Sequence, residues 1–156
     1  MVRFSIYVKA ETENVETLFF NPDEYVWNIM VKCANCKEVY DNWQTLCKSV
    51  TKPLRVGRGY VHYSSKCKFC KMENSIIIME DSMKPYDGNR NDFQPIATFE
   101  CRGIELIGIR PGGGWIVTTK RNNSTFTDIN LDEDYVEYNE EGVLSILDFE
   151  CQVRRS

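Results

Sequence analysis

Apolar and polar residues alternate with a period of two over much of this chain. From Val2 to Ala10, the residues Val2, Phe4, Ile6, Val8 and Ala10 fall on one face with polar residues between them, the pattern of a half-buried strand. Tyr25–Cys33 is a second β-rich run, and Glu38–Leu46 reads as its return, a hairpin with Cys33-Ala34-Asn35-Cys36 at the tip. Pro53–Gly59 reads as a loop, Tyr60–Lys66 as a strand, and Asn74–Glu80 as another around the run Ile76-Ile77-Ile78-Met79. Further strands are expected at Ile96–Cys101, Ile104–Ile109, Trp115–Lys120, Thr125–Leu131 and Val143–Val153. No segment sustains a helical period; Glu133–Glu141 is the one candidate for a short helix, with an acidic loop as the alternative. The pattern predicts an all-β protein.

The clearest interruption is Lys84-Pro85-Tyr86-Asp87-Gly88-Asn89-Arg90-Asn91-Asp92, whose turn-forming residues suggest a linker over 84–93 between halves 1–83 and 94–156, with one compact domain as the alternative. The halves share an order of residues. Asn14-Val15-Glu16 and Pro22 correspond to Gly103-Ile104-Glu105 and Pro111, Trp27 to Trp115, and Tyr60–Cys67 aligns without gaps on Leu144–Cys151. An internal pseudo-duplication is therefore expected, giving two similar β-sandwich or barrel-like halves. On that alignment the second half has lost the metal pattern of the first: Arg121 stands opposite Cys33 and Arg154 opposite Cys70.

That metal pattern is Cys33-Ala34-Asn35-Cys36, thirty intervening residues, then Cys67-Lys68-Phe69-Cys70. Two residues between cysteines let a tight turn present both sulfurs to one cation, and two such turns complete a tetrahedron. The gap exceeds that of common zinc ribbons, but loop-closure entropy grows only with the logarithm of length. The expected cofactor is one structural Zn2+ held by Cys33, Cys36, Cys67 and Cys70, in the first half.

Composition narrows the setting. Apolar residues make up 42% and aromatics 12% of the chain, enough for a packed core. The N-terminus lacks the continuous apolar stretch of a signal peptide, and no run approaches the roughly 20 residues of a membrane span. A soluble, cytoplasmic protein without a membrane partner is expected, with its seven cysteines serving metal binding and burial rather than disulfides. The net charge of −4 hides an asymmetry: Lys32 to Lys71 carries nine basic residues and two acids, +7, against −11 elsewhere. Such a segment could attract an anionic partner, but lysines beside a zinc with four thiolates also balance its charge of −2.

Other chemistries fit less well. A thioredoxin-like site needs its C-x-x-C at a helix start, and both pairs here sit at strand ends. Catalytic zinc keeps an open ligand position, which four cysteines close. The single histidine, His62, lies in a strand pattern and supports no catalytic triad. Pro111-Gly112-Gly113-Gly114 lacks the lysine and hydroxyl residue of a phosphate loop and reads as a hairpin connection. Cys47, Cys101 and Cys151 read as small apolar residues; a soft-metal site using Cys101 and Cys151 would lack paired turns.

The chain resembles the CXXC motif-containing zinc-binding proteins of eukaryotes. The resemblance rests on Lys32-Cys33-x-Asn35-Cys36, Gly57-Arg58-Gly59, Lys66-Cys67-Lys68-x-Cys70, Glu73-Asn74-Ser75-Ile76, Lys84-Pro85-Tyr86, Phe99-Glu100-Cys101-Arg102-Gly103 and Asp128-Ile129-Asn130-Leu131. It implies a β-rich fold of two similar halves, one zinc on the four named cysteines, and no established enzymatic activity. One departure is visible: zinc knuckles often place glycine after the second cysteine, where positive φ is convenient, and this chain has Lys37 and Lys71. The expected function is a non-catalytic zinc-binding module that presents a surface to a protein partner. The alternative is a nucleic-acid-binding zinc module using the basic segment 32–71.

Overall fold

The computed structural model describes residues 1–54, 57–121, 123–139 and 142–156. The chain forms β1 (Val2–Glu13), β2 (Val15–Phe20), β3 (Trp27–Cys33), β4 (Gln44–Leu46), β5 (Lys52–Pro53), β6 (Tyr60–Val61), β7 (Tyr63–Lys66) and β8 (Glu73–Ile78). After one 3-10 turn at Glu80–Ser82 come β9 (Tyr86–Asp87), β10 (Gln94–Arg102), β11 (Ile104–Arg110), β12 (Trp115–Thr119), β13 (Thr125–Ile129), β14 (Tyr135–Asn139) and β15 (Gly142–Arg155). The all-β expectation holds, and among the described residues no helix is long and apolar enough to cross a membrane. Part of the expected loop Pro53–Gly59, at positions 55 and 56, lies outside the described residues.

The largest sheet has the order β14-β15-β1-β10-β8-β7, and two smaller sheets are β11-β3-β4 and β13-β12-β2-β9. The period-two faces read from the sequence supply the core: Phe4, Ile6, Val8 and Ala10 of β1, Trp27, Ile29 and Val31 of β3, and Ile76 and Ile78 of β8 are all buried. Phe20 sits edge-on to both Trp27 and Trp115, at 5.2 Å from each ring, and stacks on Tyr25 at 4.3 Å. T-shaped contacts of this kind match the positive ring edge to the negative ring face.

Two long strands leave the large sheet at single-residue corners. Asn14 (φ 62°) turns β1 into β2, and Gly103 (φ 73°) turns β10 into β11. A Cβ on residue 103 would stand 2.6 Å from the Glu73 carbonyl oxygen, so only glycine fits there. Beyond these corners the two sequence halves exchange strands: β2 pairs with β12, and β11 pairs with β3. The tryptophans take matching places in that exchange. Trp27 of β3 faces Leu46 of β4, and Trp115 of β12 faces Ile129 of β13.

The strand order corrects the other half of the sequence alignment. It is symmetric about the β1–β10 pair, which sets β14 against β7 and β15 against β8. Cys67 follows the edge strand β7, whereas Cys151 lies within β15, paired with Val8 of β1. The two are therefore not equivalent. Gap-free alignment matched residue types without knowing which strand was the edge.

Other expectations change for local reasons. The expected helix is replaced at Tyr135–Asn139 by strand β14, an edge strand on which Val136 and Tyr138 are exposed. Positions 140 and 141 lie outside the described residues. Pro111–Gly114 does not close a hairpin, because β11 and β12 belong to different sheets; Gly112 and Gly114, both with positive φ, carry the chain between them. The segment 84–93 is more than a connector. Tyr86 is fully buried, its hydroxyl accepting from the Ala10 N–H at 3.2 Å and reaching the Arg90 carbonyl at 2.8 Å.

Candidate metal centre

Cys33 is the last residue of β3, and Cys67 follows the last residue of β7. Each begins a tight turn built on the same two hydrogen bonds. The Cys33 N–H donates to the Glu38 carbonyl at 2.9 Å and its own carbonyl accepts from the Lys37 N–H at 3.0 Å; Cys67 repeats this with Met72 at 2.9 Å and Lys71 at 2.9 Å. Closing each turn requires a left-handed residue directly after the second cysteine. Lys37 (φ 67°) and Lys71 (φ 65°) adopt that conformation, so the departure from glycine seen in the sequence falls where the backbone is strained.

The turns bring together all four cysteines singled out in the sequence. Their Sγ atoms lie within 4.8 Å of one another, and no other group of three or more metal-ligating side chains forms among the described residues. Cys33 and Cys70 stand 3.6 Å apart across the turns, and Cys36 and Cys67 3.5 Å. A tetrahedral zinc with Zn–S bonds near 2.3 Å would space its sulfurs by about 3.8 Å. The observed separations are close to that value, and Cys33 and Cys67 are buried while Cys36 and Cys70 are partly accessible.

Electrostatics favour a cation here. The Asn35 side-chain amide, followed by the Met72 N–H, brings the Cys70 thiol down to about 6. The Cys70 and Phe69 amides pull Cys67 down, despite desolvation. The Glu38 N–H favours the Cys36 thiolate too, but burial and the three neighbouring sulfurs push that thiol up to about 12. Donors thus point at sulfurs that cannot all be charged while they face only each other. A dication resolves the conflict, and Zn2+ suits four thiolates in tetrahedral array.

A supporting shell locks the turns in place, and the sequence reading missed it. Asn74, buried on β8, donates its amide to the carbonyls of Gly103 at 2.6 Å and Glu73 at 3.1 Å, and its oxygen accepts from the Tyr40 hydroxyl at 2.7 Å. The Tyr40 oxygen also meets Ser65 Oγ at 2.8 Å. The Gly103 carbonyl takes the Ala34 N–H at 3.0 Å. Asn74 therefore ties the second cysteine pair, through β8, to the corner that carries the first. The available signal was an asparagine at an inward position of a strand, where an apolar residue is the usual choice.

The remaining candidates separate. Val8 faces Cys151 and Val2 faces Cys101, six residues apart along β1, or roughly 20 Å, so these two cannot share a metal. Burial, chiefly, raises both thiols to about 12. Cys47 is half-buried, its sulfur 3.3 Å from the Asp23 carbonyl. His62 interrupts the expected strand between β6 and β7, its Nδ1 accepting the Ile78 N–H at 2.9 Å. Carboxylates, most of them from outside the basic segment, pair with several of its lysines. Glu105 binds Lys32 at 3.3 Å and Lys37 at 3.4 Å, Asp41 binds Lys68 at 2.6 Å, and Lys48 lies between Asp23 at 3.4 Å and Glu80 at 3.1 Å. Burial opposes ionisation of Glu105, but its two lysines hold its carboxyl below the usual range.

Residues 5–154 match the family described as CXXC motif containing zinc binding protein, eukaryotic. The chain belongs to that family. The UPF0587 protein of Nematostella vectensis is 41% identical over 142 residues, covering 90% of this chain and 89% of that protein. The CXXC motif containing zinc binding protein of Homo sapiens is 35% identical over 148 residues, 94% of this chain and 92% of its own. The crystal structure of C1orf123 has the same fold, with a TM-score of 0.92, 32% identity and 99% of both chains covered. As a member of the CXXC zinc-binding family, this chain is a zinc-binding protein with a four-cysteine site, consistent with one structural zinc.

Proposed function

We propose that the protein is non-catalytic, that Cys33, Cys36, Cys67 and Cys70 hold one structural zinc, and that the surface this ion organises serves a protein partner. The observation that carries this reading is the closed donor set. Four sulfurs within 4.8 Å of one another would fill a tetrahedral shell and leave no position for water or substrate, so the ion would supply rigidity rather than Lewis acidity. A reducing, cytoplasmic setting suits such thiolates. The turns also display apolar side chains that a purely internal role would not need: Phe69 is 58% exposed, Val39 47% and Met72 40%. Val39, Tyr40, Lys66 and Phe69 line a cleft of about 180 Å³ beside Cys67.

Cobalt substitution tests the closed shell. A Co(II)-loaded sample is expected to show intense thiolate charge transfer and a tetrahedral visible spectrum that neither pH nor added azide changes. A spectrum that shifts with either would reveal an exchangeable ligand and end the non-catalytic reading. Chelation should also unfold at least the region around the turns, since a structural zinc is worth about 10–16 kcal/mol against a whole-protein stability of about 5–15 kcal/mol.

A further inference from the structure

β15 is flanked on both sides for only part of its length. One side pairs with β1 from Ser145 to Arg155; on the other, β14 accompanies it from Gly142 to Ile146, and no strand follows among the described residues. Asp148 marks the change, with a positive φ of 52° and its N–H donated to the Asp134 carboxylate at 2.9 Å. Beyond it the backbone polarity can be read. The Ser156 N–H donates to the Arg3 carbonyl at 2.9 Å, and an antiparallel strand turns alternate residues toward alternate sides. Gln152 and Arg154 therefore bond to β1, while Phe149, Cys151, Val153 and Arg155 present their N–H and C=O groups to the open flank. Along that flank Cys151 and Val153 are only partly buried, whereas Val8 and Ile6 beside them on β1 are 1% and 0% exposed.

We infer that this flank is a self-association surface, on which a second copy of the chain lays its own β15 antiparallel to the first with Gln152 at the two-fold axis. An open strand edge is a template for another strand, and a two-fold interface must be complementary to itself. The sequence around Gln152 meets that condition. Glu150 faces Arg154 of the second copy, and Arg154 faces its Glu150. Both pairs lie on the outer face, at positions that exchange no hydrogen bonds and so bring side chains closest. Arg154 is already held on that face, its guanidinium 3.9 Å over the Tyr7 ring and its Nε donating to Gln152 Oε1 at 2.7 Å. On the inner face Cys151 meets Val153 of the second copy, twice. These are residues whose backbone groups point outward, so the same register completes the hydrogen bonds and covers the half-exposed apolar rim. A uniformly basic or uniformly acidic strand would instead meet a like charge at one end of the segment.

β14 limits the register. Centred on Gln152, Ser156 of one copy reaches Asp148 of the other, short of Ile146, where Tyr135 begins the pairing of β14. Centred on Cys151, Ser156 would meet Ile146, whose flank Tyr135 already occupies. Centred on Val153, Arg154 would face Gln152 and Glu150 would face Ser156, leaving both charges without a partner across the seam. Only the Gln152 register satisfies the backbone, the charges and the space beside β14 together.

The test measures the mass of the intact, zinc-loaded protein by sedimentation equilibrium over a range of concentrations. A reversible dimer is expected. Glu150→Arg places like charges in both symmetric pairs and is expected to raise the dissociation constant roughly tenfold or more. The exchange Glu150→Arg/Arg154→Glu restores opposite charges in reversed order and is expected to return the constant close to the wild-type value. Gln152→Cys is expected to give, under mild oxidation, a dimer whose digest contains a 152–152 linked peptide. A wild type that stays monomeric at every concentration measured, an assembly larger than two chains, or a dimer indifferent to Glu150→Arg would overturn the inference. If Glu150→Arg does not fold, the charge-exchanged variant and the 152–152 link decide: a monomeric exchange variant or a missing link counts against it.

Discussion

Lys37 and Lys71 are backbone counterparts. Each follows the second cysteine of its turn, each is left-handed (φ 67° and 65°), and each donates its N–H to the carbonyl of the turn's first cysteine. A non-glycine residue in that region costs roughly 1–2 kcal/mol, which glycine avoids at the expense of greater freedom in the unfolded chain.

Lys71→Gly is therefore expected to leave stability unchanged or raise it by up to about 1 kcal/mol, whereas Lys71→Val should lower it by about 1–2 kcal/mol. Chemical denaturation of the zinc-loaded protein measures both. A glycine variant clearly less stable than the wild type would show that the lysine side chain, not the backbone, sets the requirement.

The two tryptophans should respond unequally to replacement. Both are fully buried, but Trp115 Nε1 donates to the Pro111 carbonyl at 3.1 Å, four residues back, while Trp27 Nε1 has no partner among the described residues. Trp27 follows Pro22 by five residues, where Trp115 follows Pro111 by four. Trp115→Phe is expected to cost about 1 kcal/mol more than Trp27→Phe, the net worth of one hydrogen bond. Equal losses in thermal or urea unfolding would contradict this.

How the chain could be read in advance depends on where side chains face. The four cysteines were legible because a C-x-x-C spacing is a local property, and β1, β3 and β12 because one face is buried and the other is not. β2 was missed. Its buried residues are Val15, Leu18 and Phe20, and the two-residue gap after Val15 coincides with the register shift where Thr119 meets Val15, which erases the alternation. β14 was hidden by its exposure at the sheet edge. Asn74, Tyr40 and Gly103 were invisible as a unit because only the folded strand pairing brings them together.

Acid should reveal His62. Burial holds its imidazole below the ordinary value near 6.5; a hydrogen bond to the Lys48 backbone opposes this, the Lys48 charge reinforces it, and Glu80 opposes it. Protonation at Nδ1 would also abolish the acceptor for the Ile78 N–H. The unfolded chain therefore takes up the proton first. The contribution is complete above about pH 6.5 and is lost as pH falls through the lowered folded value. A His62→Gln variant is expected to show a shallower loss of stability between about pH 6.5 and 5 than the wild type. Parallel stability–pH curves would rule out the effect.

The basic segment should not act as a nucleic-acid site. Lys32, Lys37, Lys48 and Lys68 are committed to carboxylates. A genuine site would lose affinity steeply with salt, with a slope of about −0.7 per phosphate contacted for single strands and −0.9 for duplex. Weak or no binding to labelled RNA or DNA is expected at physiological salt, with little change in a Lys66→Glu/Lys68→Glu/Lys71→Glu variant. Micromolar binding abolished by that variant would replace the protein-partner reading with the nucleic-acid one.

The exchange of strands between the halves bears on how the metal is acquired during synthesis. A nascent chain that has cleared residue 70 already owns every sulfur of the centre, yet neither cysteine turn has its full set of strand neighbours. β3 waits for β11, and β8 waits for β10. Zinc taken up before β10 and β11 are made would meet sulfurs whose supporting corner at Gly103 is not yet closed.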